Sequence, residues 1–376
     1  MIRILHIITS LDTGGAENIL YRLVSGMDCR NFTNAVVCLG NQGKIGEKIL
    51  KSGIQTNVLG IHPARPNPLA LKKLYHLLDE FKPDIIQGWM YHGNLVAQLA
   101  ARRARTPFVW NIRQSLPSLS EEKFVTSIMI RLGAFFSYAP SRIIYNAFTS
   151  ALHHEAIGYR REKRLLIPNG FDTEAFSPSF QARESVRKEL DIPIESFLIG
   201  LIARYHPVKD HKTFFKAWKI FNQKFPEVHF VLAGKGISIE NQELDAFLRQ
   251  NSKKNFIHLL GEREDIPRIT ASLDIATCCS KAEALSNSIG EAMSCAVPCV
   301  ATNVGDLSDL VSQTGLIIDK QDHEALAKAW EHIYSMPLEQ RQQLGKNARE
   351  RILSHYSLSQ SIHQYSSLYT KLFTEV

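Results

Sequence analysis

Short apolar runs rich in β-branched residues recur along the chain, alternating with longer stretches whose apolar positions fall at helical spacing. Ile2 to Ile8, Asn34 to Leu39, Asp84 to Gly88, Phe108 to Ile112, Ile143 to Asn146 and Leu165 to Pro168 are nearly continuous in apolar residues. Such runs predict strands buried on both faces. Between them, stretches such as Glu17 to Met27 and Leu69 to Phe81 predict amphipathic helices. Strands separated by helices build a parallel sheet covered on both sides.

The pattern then starts again. After Asn169-Gly170 comes a Pro- and charge-rich stretch, FDTEAFSPSFQARESVRKELDIP, which reads as a linker. New strands follow at Phe197 to Ala203, His229 to Ala233, Phe256 to Leu259, Ile275 to Cys278, Pro298 to Thr302 and Gly315 to Ile318, again alternating with helices. The expectation is an α/β protein of two parallel-sheet domains, 1–172 and 190–350, with the cleft between them as the default ligand site. The tail is helical from about Leu338, and its last segment (Leu358 to Phe373) carries too many apolar residues for a free end. Residues 351–376 are therefore expected to pack back on the first domain.

Composition narrows the class. The chain has 376 residues, 44% of them hydrophobic and 22% charged, so it can build large cores and is not a disordered chain. The apolar run at the start is too short for a signal peptide, and no stretch has the roughly 18 uninterrupted apolar residues of a spanning helix. A cytoplasmic protein is expected. Six cysteines without regular spacing (Cys29, Cys38, Cys278, Cys279, Cys295, Cys299) read as reduced thiols in core packing rather than as disulfides or a zinc site.

The formal charge of +7 is carried by one segment: Ala101 to Leu165 holds eleven basic and four acidic residues, and the rest of the chain balances. That segment also contains Phe124, Val125, Ile128, Met129, Ile130, Leu132, Phe135 and Phe136. A basic segment with an apolar face suits an anionic membrane surface, whereas the plainer alternative is a core helix with solvated ends. No helix-turn-helix, zinc-finger or aromatic RNA-binding signature accompanies the charge, so nucleic acid is not expected as a partner.

Several chemistries are excluded by their missing motifs. Gly234-Lys235-Gly236 follows a strand, but Ile239 stands where a third glycine of G-x-G-x-x-G is needed. The P-loop, H-E-x-x-H and D-x-D are absent, and Asp172-Thr173-Glu174 reads as helix-start chemistry rather than as a metal site. Gly14-Gly15 after the first strand either lets backbone approach an anion at a helix start or forms an ordinary tight turn. Arg204 and Lys209 lie five residues apart on one strand-to-helix loop, and together they can hold a diphosphate, one as a planar fork and the other as a point charge. Past Cys278, Glu283 lies in a loop, Ser286-Asn287-Ser288 start a helix, and Glu291 falls on that helix. The set places one carboxylate near a sugar, helix-end donors at phosphates, and a second carboxylate at a ribose diol.

GGAE near the start, IPNGFD, GLIARYHPVKDH, LLGEREDIP and the E-x7-E within KAEALSNSIGEAMSCAVPCVATNVGD occur in this order. With them the chain resembles the retaining glycosyltransferases of family four, from about residue 3 to residue 335. The resemblance implies the GT-B fold, two Rossmann-like domains with parallel sheets facing across a cleft. It also implies a nucleotide diphosphate sugar as donor and an acceptor on the first domain; UDP is the favoured nucleotide, and the basic, apolar segment suggests a saccharide or lipid-linked saccharide as acceptor. Carried over by position, Glu283 lies at the donor sugar hydroxyls and Glu291 at the ribose. Arg204 and Lys209 neutralise the leaving diphosphate, and Gly14 and Gly15 meet the donor from the first domain. The base lies against Gly261-Glu262-Arg263, and backbone around Ala284, Leu285, Ser286 and Asn287 meets sugar and phosphate. No metal and no cofactor are implied.

One position departs from the family. Many members carry a histidine after the strand matching FVWNI, whereas this chain reads Asn111-Ile112-Arg113. Arg113 can stabilise a departing phosphate but cannot act as a base. His92, in WMYHGN, is either an acceptor-side group or a packed histidine. The expected activity is a metal-independent retaining transferase, with attack on the front face and the acceptor proton passing to a donor phosphate oxygen. A non-catalytic nucleotide-sugar-binding protein and a nucleotide-sugar epimerase are the alternatives.

Overall fold

The computed structural model describes residues 1–61, 68–249 and 256–375. The chain divides into two compact units, Met1–Gly170 with Leu358–Val376, and Phe171–Ser357. The first holds a seven-stranded parallel sheet: β1 (Ile2–Ile8), β2 (Phe32–Cys38), β3 (Gln55–Val58), β4 (Ile85–Trp89), β5 (Phe108–Ile112), β6 (Arg142–Tyr145) and β7 (Arg164–Leu166). Its order is β3-β2-β1-β4-β5-β6-β7. β1 pairs with β2 on one side (Ile4 opposite Asn34) and with β4 on the other (Ile4 opposite Ile85). The chain thus winds one way from β1 and then returns to continue the other way.

The second unit repeats this arrangement with six parallel strands: β8 (Leu198–Ile202), β9 (His229–Ala233), β10 (Ile257–Leu259), β11 (Ile275–Cys278), β12 (Cys299–Thr302) and β13 (Gly315–Ile318). The order β10-β9-β8-β11-β12-β13 reverses between β8 and β11, as the first sheet does between β1 and β4. Both units are therefore doubly wound, and each has a topological switch point at the carboxyl ends of its central strands. β4, β9, β11 and β12 are buried at every position, as strands covered by helices on both faces must be.

The boundaries differ from the sequence reading in three places. The stretch read as a linker belongs to the second unit: Phe171 and Val186 are fully buried in its core. Helix Phe180–Glu189 starts at Ser179, whose hydroxyl accepts the Ala182 N–H at 3.1 Å. Its Arg187 is buried, donating to the Ser272 carbonyl at 2.8 Å and to Asp274 at 2.8 Å. A helix read only from its charges looked solvated because its largest basic residue points inward. Residues 351–357 also belong to the second unit, so the return to the first begins at Leu358. Finally, Asp172 lies in the second unit, where its Oδ1 accepts the N–H groups of Glu174 and Ala175 in a turn.

Helix Leu358–Thr374 buries Tyr365, Leu368, Tyr369 and Leu372 in the first unit, with the Tyr369 hydroxyl donating to Gln87 Oε1 at 2.6 Å. Each buried leucine contributes about 1.5–3 kcal/mol. The basic segment resolves differently from a core helix. Phe124–Phe136 buries only Ile130 and Gly133, while Phe124 is 80% and Phe135 72% exposed, together with Val125, Ile128 and Leu132. Five cysteines are buried and Cys29 is exposed. Among the described residues no helix is long and apolar enough to cross a membrane.

Candidate functional site

The loop after β8 and the loop after β11 meet at the switch point of the second sheet. Arg204 stands two residues beyond β8. His206 then caps a short 3-10 turn, Pro207–Lys209, its ring accepting the Val208 N–H at 3.3 Å. Asp210 turns the chain with φ of 49° into helix His211–Lys224. The turn carries Lys209 to Glu283, whose Oε1 it meets in an ion pair. Ser280 donates to the same oxygen at 2.7 Å, and Thr302 holds the Ser280 carbonyl at 2.7 Å. Burial works against the Lys209 charge, but Glu283 more than offsets it and the lysine pKa is raised. The ammonium uses one of its three donors on Glu283. Arg204 is exposed, and among the described residues it holds no carboxylate.

The backbone under this pair is tightly fitted. Gly305 has φ of +58°, and a Cβ there would lie 2.2 Å from the Glu283 carbonyl oxygen. Only glycine lets the Asn303–Asp306 loop pass so close, and the Asp306 N–H then closes on the Ala284 carbonyl at 3.0 Å. Gly234, with φ of +149°, does the same beneath the Arg204 loop: a Cβ would lie 2.2 Å from the Ala203 carbonyl oxygen. The glycines near this strand end thus serve loop packing, which explains them without a dinucleotide motif.

Helix Asn287–Ser294 follows. Ser286 occupies the N-cap position, but its hydroxyl bonds to Ser288 Oγ at 3.2 Å and no side chain of the cap satisfies the first turn. The start of this helix, with its positive dipole end, lies next to the loop that carries Glu283. Ala284, Leu285 and Ser286 are buried, so they can act on a ligand only through their main chain. Glu291 is 9% exposed on the same helix, eight residues after Glu283. Glu262 is exposed beside Gly261. Arg263 is placed differently from the expectation: its guanidinium forks onto Asp265 (2.8 and 2.9 Å) and reaches Glu189 at 2.7 Å. Those hydrogen bonds hold the Asp265 carboxyl well below its usual range, and with Arg268 they lower that of Glu189. In this structure the guanidinium is thus engaged by two carboxylates.

In the first unit the expected residues gather at the carboxyl ends of the strands. Gly14 is the N-cap of helix Gly15–Gly26, with the Glu17 carboxylate lying where a Cβ on Gly14 would go, 2.2 Å away. The two glycines stand after β1, and His92 stands after β4, the two strands that flank the switch point. His92 is half-buried and burial lowers its pKa. Arg113, just past β5, donates to Asn111 Oδ1 at 3.3 Å, to the Tyr365 hydroxyl at 3.0 Å, and to Asn169 Oδ1. Ser280, Asn169 and Tyr365 were missed by sequence reasoning. Ser280 had a usable signal, lying three residues before Glu283, but Tyr365 is 252 positions from Arg113 and no local pattern points to it. Among the described residues no group of three His, Cys, Asp or Glu side chains is placed to hold a metal ion.

Each unit matches a family model of known proteins. Residues 13–175 match the family model described as Glycosyltransferase Family 4, and residues 196–336 match that described as Glycosyl transferases group 1. The chain is 26% identical, over 80% of its length and 78% of the relative's, to an Escherichia coli protein, UDP-Gal:alpha-D-GlcNAc-diphosphoundecaprenol alpha-1,3-galactosyltransferase. In structure it is similar to HepE from Anabaena solved in complex with UDP, with a TM-score of 0.86, 22% identity, and coverage of 98% of this chain and 100% of that one. It is likewise similar to WaaG, a glycosyltransferase involved in lipopolysaccharide biosynthesis, with a TM-score of 0.75, 14% identity, and coverage of 98% and 99%. With one glycosyltransferase model on each unit and full-length likeness to structures of the GT-B fold, the chain is a glycosyltransferase of the family-four type.

Proposed function

We propose that this chain moves a sugar from a UDP-sugar to a hydroxyl of a lipid-linked saccharide, with retention of configuration and without a divalent metal. The observation that carries the reading is the pairing of Lys209 with Glu283 at the switch point of the second sheet, beside an Arg204 whose charge is uncommitted. Lys209 has two donors left and Arg204 a whole fork, enough to take up the charge of a departing diphosphate. The start of helix Asn287–Ser294 adds its positive dipole end. Glu283 is held by Lys209 and Ser280, and it serves as a hydrogen-bond acceptor for the sugar hydroxyls, with Glu291 accepting from the ribose. In the reaction the bond from the anomeric carbon to the diphosphate breaks, the acceptor oxygen bonds to the same face, and its proton passes to the leaving phosphate oxygen.

The experiment is a thermal-shift screen of nucleoside diphosphates followed by turnover assays. UDP at 100 times its dissociation constant is expected to stabilise the fold by about 2.7 kcal/mol, and turnover is expected to persist in EDTA. Activity abolished by EDTA and restored by magnesium would sink the metal-free reading. A sugar adduct trapped on Glu283 would sink front-face attack, and interconversion of the sugar without acceptor would make the chain an epimerase. Binding without any turnover would leave a nucleotide-sugar-binding protein.

The acceptor side of the reading includes a membrane surface. The E. coli relative is named for a diphosphoundecaprenol acceptor. In this chain Phe124, Val125, Ile128, Leu132 and Phe135 are exposed on one helix, and Lys123 and Arg131 on it are exposed too. Apolar residues that insert and cations that meet anionic headgroups are the two signals stable surface binding needs. The chain is expected to sediment with vesicles containing phosphatidylglycerol and to be released as salt rises, with Phe124→Ser and Phe135→Ser weakening binding about tenfold. Equal recovery with neutral and anionic vesicles would remove this part of the reading.

A further inference from the structure

Arg113 is a half-buried cation in a neutral shell. Its partners are Asn111 Oδ1, the Tyr365 hydroxyl and Asn169 Oδ1, and its guanidinium carbon lies 5.9 Å from the Trp89 ring centroid. Among the described residues no carboxylate pairs with it, and burial lowers its pKa. Arg3, Arg164, Arg183, Arg187, Arg263 and Arg268 each hold an Asp or Glu. A guanidinium does not give up its proton in a protein, so a desolvated one without an anion carries a standing cost that a bound anion relieves.

The shell is built to hold this charge in place. The Tyr365 hydroxyl accepts from Asn111 Nδ2 at 2.7 Å as well as from Arg113, which leaves its own O–H to donate elsewhere. Asn146 donates to the same Asn169 oxygen at 3.3 Å, while its own Oδ1 is buried without a partner. Arg113, Asn146 and Asn169 follow β5, β6 and β7, three adjacent strands, at the edge where open α/β sheets take ligands. Nε–H and one Nη2–H of Arg113 remain uncommitted, two donors for a bidentate oxyanion.

We propose that Arg113 is the receptor for a phosphate group of the acceptor substrate, and that Tyr365, from the C-terminal helix, is its positioning residue. The proposal rests on the reading that the first unit takes the acceptor. The donor's diphosphate already has Arg204 and Lys209 in the second unit. A further cation, fixed at the first sheet without a counter-ion, fits a second anion, such as the phosphate or diphosphate that links a saccharide to a lipid. The unpaired Asn146 oxygen and the Tyr365 hydroxyl add one acceptor and one donor for a sugar attached to it.

The test uses the full chain saturated with UDP, titrated calorimetrically with inorganic pyrophosphate. One further pyrophosphate site is expected. Arg113→Gln is expected to weaken it by about 30-fold or more, and Tyr365→Phe by about 3- to 10-fold. Arg113→Lys, which keeps the charge but not the fork, should fall between these, and it serves if the glutamine variant does not fold. UDP affinity is expected to stay the same in all three, which a merely structural defect would not allow. In turnover, Arg113→Gln is expected to raise KM for an alkyl-diphospho-N-acetylglucosamine and leave KM for the uncharged alkyl glycoside unchanged. No pyrophosphate site on the UDP-saturated wild type, or one intact in Arg113→Gln, overturns the proposal. Loss of UDP affinity in Arg113→Gln instead assigns the arginine to the donor. Failure of the wild type to bind UDP at all overturns the transferase reading, separately from the fate of the pyrophosphate site.

Discussion

Replacing Lys209 with alanine is expected to lower kcat by about 10²–10³-fold, the usual loss when one preorganised donor to developing charge is removed. Two effects act together. The departing diphosphate loses a fixed cation, and Glu283, with a side chain only 13% exposed, loses its ion-pair partner and keeps Ser280 alone. Glu283→Gln keeps the shape and keeps an oxygen for Lys209 and Ser280, so it should fold like the wild type and lose turnover through the missing charge. The double variant should be much less impaired than the product of the two single losses, since residues acting as a unit are not additive. Steady-state kinetics on the four proteins, with UDP affinity measured alongside, decides the matter. Independent, multiplying losses would mean that Lys209 and Glu283 do not work as a pair.

The fold was legible where burial is two-sided. β1, β5, β9 and β11 lie where their apolar runs place them, since a strand covered by helices on both faces needs apolar residues at nearly every position. β3 escaped notice because it is the edge of its sheet, and Gln55-Thr56-Asn57-Val58 has no buried position. Helix Phe180–Glu189 read as linker because burial of a charged residue depends on a partner elsewhere, here Asp274, 87 positions from Arg187. The candidate site divides in the same way. Arg204, Lys209 and Glu283 are marked by local spacing on loops after strands, and Glu291 by its place on the helix that follows. That Arg263 is consumed by Glu189, 74 positions away, and that Arg113 leans on Tyr365 are facts of tertiary packing. Local sequence shows which side chains a loop presents, and only the fold shows which of them are already engaged.

Acidification from pH 6.5 toward 4 is expected to remove several kcal/mol of stability, because three histidines are buried in their neutral form. His6 accepts from Trp89 Nε1 at 3.2 Å and lies 3.0 Å from Asn34 Oδ1, so its two ring nitrogens are set as one acceptor and one donor. His154 lies between the Ser150 carbonyl at 2.7 Å and the Tyr91 hydroxyl at 3.0 Å in the same manner. His211 is buried beside Tyr205 and both of its nitrogens lack partners. Burial lowers each of the three from 6.5 to about 4; nearby Lys209 also acts against the His211 charge, and Asp210 opposes that effect. The unfolded chain takes up a proton on each histidine as pH falls through 6.5, while the native protein does not until about 4. In that window the unfolded state binds more protons, so stability falls with falling pH, by up to about 1.4 kcal/mol per pH unit for each histidine. Above 6.5 the contribution is complete. The depressed carboxyls of Asp265 and Glu189 act in the same direction but only at lower pH, as each falls through its native pKa. Urea unfolding followed at pH 7, 6, 5 and 4.5 measures the slope. His211→Phe is the informative variant: it removes a titrating ring that makes no hydrogen bonds, so it should change stability little at pH 7 and flatten the slope of the second unit by one proton. His6 and His154 lie in the first unit, whose slope the variant should leave alone. A flat profile between pH 7 and 5, or an unchanged slope in His211→Phe, would show that these rings are charged within the fold.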